Sequence, residues 1–566
     1  MIKLKNYLIL FLLISVSFGL NAQVKEGAVE SAEITVEKDR KLVLPQVEKP
    51  RERPTTTKAE AHEAKQMLFD IPERKVSVSP AKFNPNAQVY EPNDTTVNVY
   101  ENFVKAGFGN YGRVYLEGLV NTPASGLGSL GLNFKHNTAS KGPKYGALSS
   151  QAVSEIGLNG KYVSDLFKLD GGLSFDRNDF NFYGYKDVPN REVKKDDIRQ
   201  TLNQFSMKIG LENANRDASL DYSLHTGINF LKDRFEAREL EWITNFNFTL
   251  PVTPNFYALV HSDAFVTQRS DSVNNNRNLI KVRPTFIIKN DLWAVTFGVN
   301  VANEKDTHLD VQNAINKNIN RTKAFPLINI DYFISNGLYL FAGYEGDIYR
   351  NSLHTFLSEN QWLTRKVNLL NTEKSMDIYG GIKGEIGAGL NYDVKLSYAN
   401  YKDFYVFNNS KADTSKFEIL YDNGTLNNFR INTNVYYKFN EIWRSSLKVE
   451  TNTYAFEKLV NTYHLPKINA TWSNTLAFKN KLFIGTDFYF LSKMNGYNPV
   501  SKKEIPLKSI LDLNAKMNYQ FSSHLAGFVY LNNLLGKTYQ RYSYYPQQSL
   551  NFLVGLSYGF STDDLF

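Results

Sequence analysis

The chain has 566 residues, a formal net charge of +8, 42% hydrophobic and 14% aromatic residues, and no cysteine. The absence of cysteine excludes a disulfide framework, a thiolate metal site and a lipid-bearing cysteine. A negative mean hydropathy excludes a helical membrane protein, and the scatter of 65 basic among 57 acidic residues argues against nucleic-acid binding.

Residues 1–22 read as an export signal. Lys3 and Lys5 form the basic start, Leu8 to Leu20 the apolar stretch, and Leu20-Asn21-Ala22 a small-residue exit, so cleavage is expected between Ala22 and Gln23. No other run is long and apolar enough to cross a membrane as a helix. From 23 to 98 the chain is charged and punctuated by Pro45, Pro50 and Pro54, with a single glycine, Gly27. This is linker chemistry, expected to be a short, largely disordered periplasmic segment, with a helical patch at Ala59 to Phe69.

From 99 onward the pattern has a period of two. Phe205, Met207, Ile209 and Leu211 alternate with Ser206, Lys208, Gly210 and Glu212. Leu220, Tyr222, Leu224, Ile228 and Phe230 alternate with Asp221, Ser223, His225, Gly227 and Asn229. Met376, Ile378, Ile382 and Ile386 oppose Asp377, Lys383 and Glu385; Tyr392, Val394, Leu396 and Tyr398 oppose Asp393 and Lys395; Phe429, Ile431, Val435, Tyr437 and Phe439 oppose Arg430 and Lys438. Near the C-terminus, Leu511, Leu513, Ala515, Met517, Tyr519 and Phe521 share one parity, and Asp512, Asn514, Lys516, Asn518 and Gln520 the other. A strand sends successive side chains to opposite faces, so each run has a greasy face and a wet one.

Short connections such as Thr253-Pro254-Asn255, Asn290-Asp291 and Asn440-Glu441 alternate with long polar loops at roughly 181–199, 304–321, 351–374, 402–425 and 494–506. Runs of about ten residues, short turns on one side and long loops on the other predict an all-β, transmembrane antiparallel β-barrel of about 22 strands spanning 99–566. Pro284 and Pro326 fall within or near strands and predict local bulges or strand ends. An exported barrel implies the bacterial outer membrane, with lipid and lipopolysaccharide around it. A bore this wide would leak, so loops, the N-terminal segment or another protein should close it.

On the wet face, Lys208, Glu212, Asp221, His225, Asp377, Lys383, Glu385, Asp393, Lys395, Arg430, Lys438, Asp512 and Lys516 are the candidate lumen-facing residues. Their mixed signs predict mutual pairing rather than a strongly ion-selective pore. His261 and Asp263 share a face with Tyr257 around Ser262, but no nucleophile motif accompanies them, so a polar wall is the better reading than an enzyme. Gly-Phe-Gly-Asn-Tyr-Gly at 107–112 matches a GxGxxG string at a hairpin tip with no helix after it, which fails as a dinucleotide site. No cofactor or metal motif is present in the sequence.

Gly107-Phe108-Gly109-Asn110-Tyr111-Gly112, then Tyr115 and Gly118, resembles the opening barrel hairpin of TonB-dependent receptors, in the style of those from Bacteroidetes. Asn532-Asn533-Leu534-Leu535-Gly536-Lys537-Thr538-Tyr539, then Tyr545-Pro546 and Val554-Gly555-Leu556-Ser557-Tyr558-Gly559-Phe560, resembles that family's C-terminal end. The resemblance implies a receptor or solute-transport barrel of the outer membrane, energised by a TonB-type partner. The chain departs from the family before the barrel: about 75 residues with one glycine leave no room for a folded plug domain. Glu33-Ile34-Thr35-Val36 has the extended character of a TonB-contacting box. The departure also motivates an alternative: a plugless structural barrel docking partner proteins, such as a lipoprotein lid, in an outer-membrane assembly.

Overall fold

The computed structural model describes residues 102–561 apart from 123–127, 186–192, 215–219, 272–273, 311–314, 336, 365–366, 388 and 480. The export signal with its Ala22–Gln23 junction, the 23–98 segment, Glu33–Val36 and the helical patch at Ala59 to Phe69 lie outside the described residues.

The alternation becomes one antiparallel sheet of 22 strands that closes on itself. Each wall strand pairs with its neighbour in sequence, and the last, Asn551–Phe560, returns to the first, Asn102–Gly109, in the register Asn102↔Phe560 through Gly109↔Leu553. Closure leaves no edge strand and satisfies the wall's backbone groups internally, as hydrocarbon requires. With strands about 4.8 Å apart and tilted about 40°, such a ring is roughly 44 Å across its backbone.

Burial follows parity. Phe205, Met207 and Ile209 are 44%, 39% and 41% exposed, whereas Ser206 between them is 5% exposed. The exposed members are the apolar ones, as expected of a wall whose outer face meets lipid rather than water. The same holds for Ile378 and Ile382, Leu396 and Tyr398, and Met517 and Tyr519.

The seam between the first and last strands depends on glycine. A Cβ on Gly109 would lie 1.9 Å from the carbonyl oxygen of Phe552, and one on Gly555 would lie 2.1 Å from that of Ala106. The first hairpin turns through Tyr111 (φ 59°) and Gly112 (φ 61°), with the Arg113 amide donating to Asn110 O at 3.2 Å. Positive φ at both central positions matches the twist of the flanking strands.

One expectation changes. The stretch 304–321 is not a long loop. Its flanks belong to the strands Trp293–Asp310 and Ile315–Ser335, paired from Trp293↔Tyr332 to Asp310↔Ile315. The hairpin continues past the greasy belt, where the sequence is mostly polar and alternation no longer marks a strand. The prolines interrupt or end pairing on one side, as expected, without a bulge. Pro284 stays in register with Val260 while two pairs toward Trp293–Asp310 are missing; Pro326 pairs with Val299, and the ladder from its strand to Leu338–Tyr349 ends close by at Ile328. A strand residue bonds to one neighbour at a time, so a missing donor affects one side only.

Candidate functional site: the aromatic cap over the bore

The long loops share one rim with a few tight turns such as 110–112 and 234–237, the opposite rim carries only short connections, and the long loops do not splay outward. Connections 182–198, 350–371, 403–424 and 533–550 contribute to one buried core with Phe182, Tyr183, Phe356, Trp362, Phe417 and Tyr545 among its members. The loops are polar in composition, yet their scattered aromatic residues meet at one place and remove large apolar areas from water. Three of the long loops also carry small hairpins of their own, Tyr405–Asn409 with Phe417–Tyr421, Met494–Asn498 with Lys503–Leu507, and Gln540–Tyr542 with Tyr545–Pro546.

Trp362 stacks on Tyr545 at 3.8 Å between centroids and meets Tyr183 and Tyr542 edge-on at 6.3 and 6.2 Å. Phe356 sits edge-on to Tyr405 at 4.6 Å. Each phenol in this cluster has an acceptor. Tyr183 Oη donates to Pro546 O at 3.2 Å, Tyr542 Oη to Glu359 O at 2.9 Å, Tyr405 Oη to Glu359 Oε1 at 2.6 Å, and Tyr545 Oη to Ser415 O. Burial pushes the Tyr542 hydroxyl up to about 12 and those of Tyr183 and Tyr545 further still, so the phenols stay neutral donors.

His464 joins the 457–467 connection to this core. Its Nδ1 lies 2.9 Å from Phe407 O, which only accepts, and its Nε2 lies 3.2 Å from the Ser543 amide, which only donates. These partners dictate a neutral ring protonated on Nδ1. Burial lowers its pKa to about 3, helped by the Arg541 guanidinium and opposed by the bond to Phe407. Asp422, fully buried, accepts the amides of Glu457, Lys458 and Leu459 at 3.2, 2.9 and 3.0 Å and holds the start of the same connection.

The cap is tied to the wall by charge. Arg277 donates from Nε to Asp306 at 2.8 Å, from Nη2 to Asn371 Oδ1 at 2.8 Å, and from Nη1 to Asn351 O. Arg269 Nη1 donates to Val367 O at 2.6 Å. Glu239, fully buried, accepts the Leu353 and His354 amides at 2.8 and 2.9 Å, and Arg350 pairs with Glu241 at 2.6 Å.

The thirteen polar candidates all lie on the parity opposite the exposed apolar face, and most have partners. Glu212 meets His225 at 3.3 Å, Lys383 meets Asp331 at 2.7 Å, Lys438 meets Glu441 at 2.6 Å and Lys516 meets Asp487 at 3.8 Å. Asp377 pairs with Lys374 at 3.2 Å, Arg430 donates to Tyr401 Oη at 3.2 Å, and Asp512 accepts from Tyr539. Lys395 sits 3.6 Å over the Tyr379 ring, and Asp393 is opposite Lys383 in register. Lys208 is exposed opposite Gly227, and Asp221 and Glu385 lie at the short-turn ends of their strands. Those thirteen therefore do not form one cluster but are dispersed around the wall.

His261 and Asp263 are 3.1 Å apart, and Asp263 continues to Lys281 at 3.3 Å and on to Asp347 at 3.2 Å, an ionic chain along the wall. Ser262 belongs to the opposite face of that strand. The cap residues Trp362, Tyr183 and His464 went unselected in the sequence, and Tyr545 entered only through the family resemblance. The available signal was aromatic density inside otherwise polar loops.

No protein-family model matches the chain, and no curated protein matches it. Among solved structures, it is similar to the FrpB iron transporter from Neisseria meningitidis, with a TM-score of 0.64, 11% identity, and coverage of 83% of this chain and 82% of that one. It is similar to the ferric-catecholate import receptor Fiu from K12 E. coli, with a TM-score of 0.62 and 9% identity over 81% of this chain and 82% of that one. It is also similar to the ferripyoverdine receptor of the outer membrane of Pseudomonas aeruginosa, with a TM-score of 0.60 and 13% identity over 81% and 72%. At these identities the likeness concerns the fold: the chain is a closed 22-strand barrel built like those transporters and receptors.

Proposed function

We propose that this chain is a receptor or transport barrel of the bacterial outer membrane, exported by residues 1–22 and cut between Ala22 and Gln23. In this reading the long-loop rim faces outward and the loop core receives a solute. The wet residues from Lys208 to Lys516 line the passage beneath, and a TonB-type partner supplies energy from the periplasm. Lipid and lipopolysaccharide surround the apolar face. The chain's role is binding and passage, not catalysis.

The observation that carries the reading is the convergence of four connections, rooted at distant points of a closed ring, on one core at a single rim. A purely structural wall would have no need to draw its outer loops together over the bore. Ferric chelates, the cargo class named for the similar transporters, are the first probes to use. Membrane fractionation followed by titration of the purified protein with ferric catecholates and ferric pyoverdine tests it, with quenching of tryptophan fluorescence as the readout. Saturable quenching of outer-membrane protein supports the reading. Recovery from the periplasm as a soluble chain overturns it. Failure to bind, with co-purification of a stoichiometric lipoprotein, favours the docking barrel.

A further inference from the structure

The connection from Leu338–Tyr349 to Thr372–Ile386 does not stay near its own roots. Its outgoing arm, 350–364, reaches Glu239 and Glu241 on the strand Arg238–Thr253. Between that strand and the arm's origin stand Phe256–Ser270, Asn274–Lys289, Trp293–Asp310 and Ile315–Ser335. Glu239, Glu241 and Arg277 have the parity opposite to exposed Leu240, Trp242 and Ile280. The arm therefore runs along the inside of the wall, past four strands. It then meets the far side, where Gln361 accepts from Asn178 on Phe167–Asn181 at 3.4 Å and Trp362 stacks on Tyr545 between the last two wall strands. A chain that touches the wall at such separated points crosses the mouth.

We propose that this arm and its return, 367–371, form a strap that keeps the bore closed, and that Arg277 and Glu239 are its latch. The inference rests on the reading of the barrel as a passage. Arg277 holds both arms at once, through Asn351 O and Asn371 Oδ1, while Asp306 keeps its guanidinium on the wall. Glu239 takes two consecutive amides at the first turn of the helix Leu353–Glu359. The root is reinforced by Arg350 on Glu241 and Arg269 on Val367 O, and the tip is held by ring contacts, by Tyr405 and Tyr542 on Glu359, and by backbone bonds between Phe417 and both Trp362 and Thr364. Charge-assisted bonds at the root and apolar packing at the tip make two separable attachments, so loosening the root frees the segment without dismantling the wall.

The test is single-channel conductance of the purified full-length protein in planar bilayers, with heat-modifiable gel mobility reporting the folded barrel. The parent is expected to remain closed most of the time. A double variant, Arg277→Gln with Glu239→Gln, is expected to spend about tenfold longer in a conducting level, and replacing 353–369 by a short Gly-Ser link is expected to give a steadily open pore. Lys458→Gln, which removes an exposed ion pair with Glu457 away from the strap, is expected to behave like the parent. If a variant fails to fold, Trp362→Ala at the tip takes its place. A folded strap-deleted protein that conducts no more than the parent overturns the proposal, as does a parent that already conducts as fully as the deletion. Binding of ferric chelates is read separately. An opening deletion with no chelate binding refutes the cargo and keeps the strap, whereas chelate binding with a silent deletion does the reverse.

Discussion

Trp362 and Tyr545 lie face to face, centroids 3.8 Å apart and planes 23° from parallel, although 183 positions separate them in the chain. One belongs to the connection after Leu338–Tyr349 and the other to the connection before the final strand, so this contact couples loops rooted on different sides of the ring.

Replacing Trp362 by alanine removes that contact together with its edge contacts to Tyr183 and Tyr542. Truncating a buried tryptophan typically costs about 3–5 kcal/mol. The loss falls on the cap, since the ladder of the wall is untouched. Hydrogen exchange is expected to accelerate in 182–185, 353–364 and 540–546, while heat-modifiable mobility of the barrel stays as in the parent.

The seam responds differently. Gly109→Val places a side chain where the Phe552 carbonyl already stands, so the first and last strands separate locally and the ring loses its closure. The expected result is a large loss of folded, membrane-inserted protein. Gly171→Ala, whose new methyl meets only an ordinary 3.6 Å contact, is expected to insert normally.

Acid weakens the cap through His464. In the folded protein this ring stays neutral down to about pH 3, whereas in an unfolded segment it takes a proton near 6.5. Between those values the open form binds more protons, so cap stability falls as pH drops below about 6.5, by at most about 1.4 kcal/mol per pH unit, and is flat above it. Protease susceptibility of 457–467 measured from pH 8 to pH 4 is expected to rise in that window. His464→Gln is expected to flatten the slope.

Asp422 gathers three amides of the 457–459 turn. Asp422→Ala leaves them without their acceptor in a buried place and is expected to cost about 2–3 kcal/mol locally. Asp422→Asn retains one acceptor oxygen and is expected to fall between alanine and the parent. Proteolysis between Glu457 and Leu459, followed by mass spectrometry, distinguishes the three.

The wall was legible because lipid on one side and polar groups on the other impose a strict two-residue rhythm. Leu511 to Phe521 could be assigned to faces from the letters alone. The rhythm fails where its cause ends. The paired segments Glu304 to Asp310 and Ile315 to Arg321 run on beyond the greasy belt with a mostly polar sequence, and sequence reading ended the strands too early. The cap was invisible for another reason. Trp362, Tyr183, Tyr545 and His464 sit in irregular connections with no periodicity, and their meeting depends on loops converging from distant strands. The polar candidates share the parity opposite the exposed apolar residues, and their partners were not foreseeable, because pairs such as Lys516 with Asp487 follow from register.

The pairing of Asn102 with Phe560 places the start and finish of the wall shoulder to shoulder on the short-turn rim. Ring order is then indifferent to where the polypeptide is cut. A circularly permuted gene, joined by a few residues from Phe560 to Asn102 and opened at exposed Lys411, encodes the same cycle of neighbours with new ends on the opposite rim.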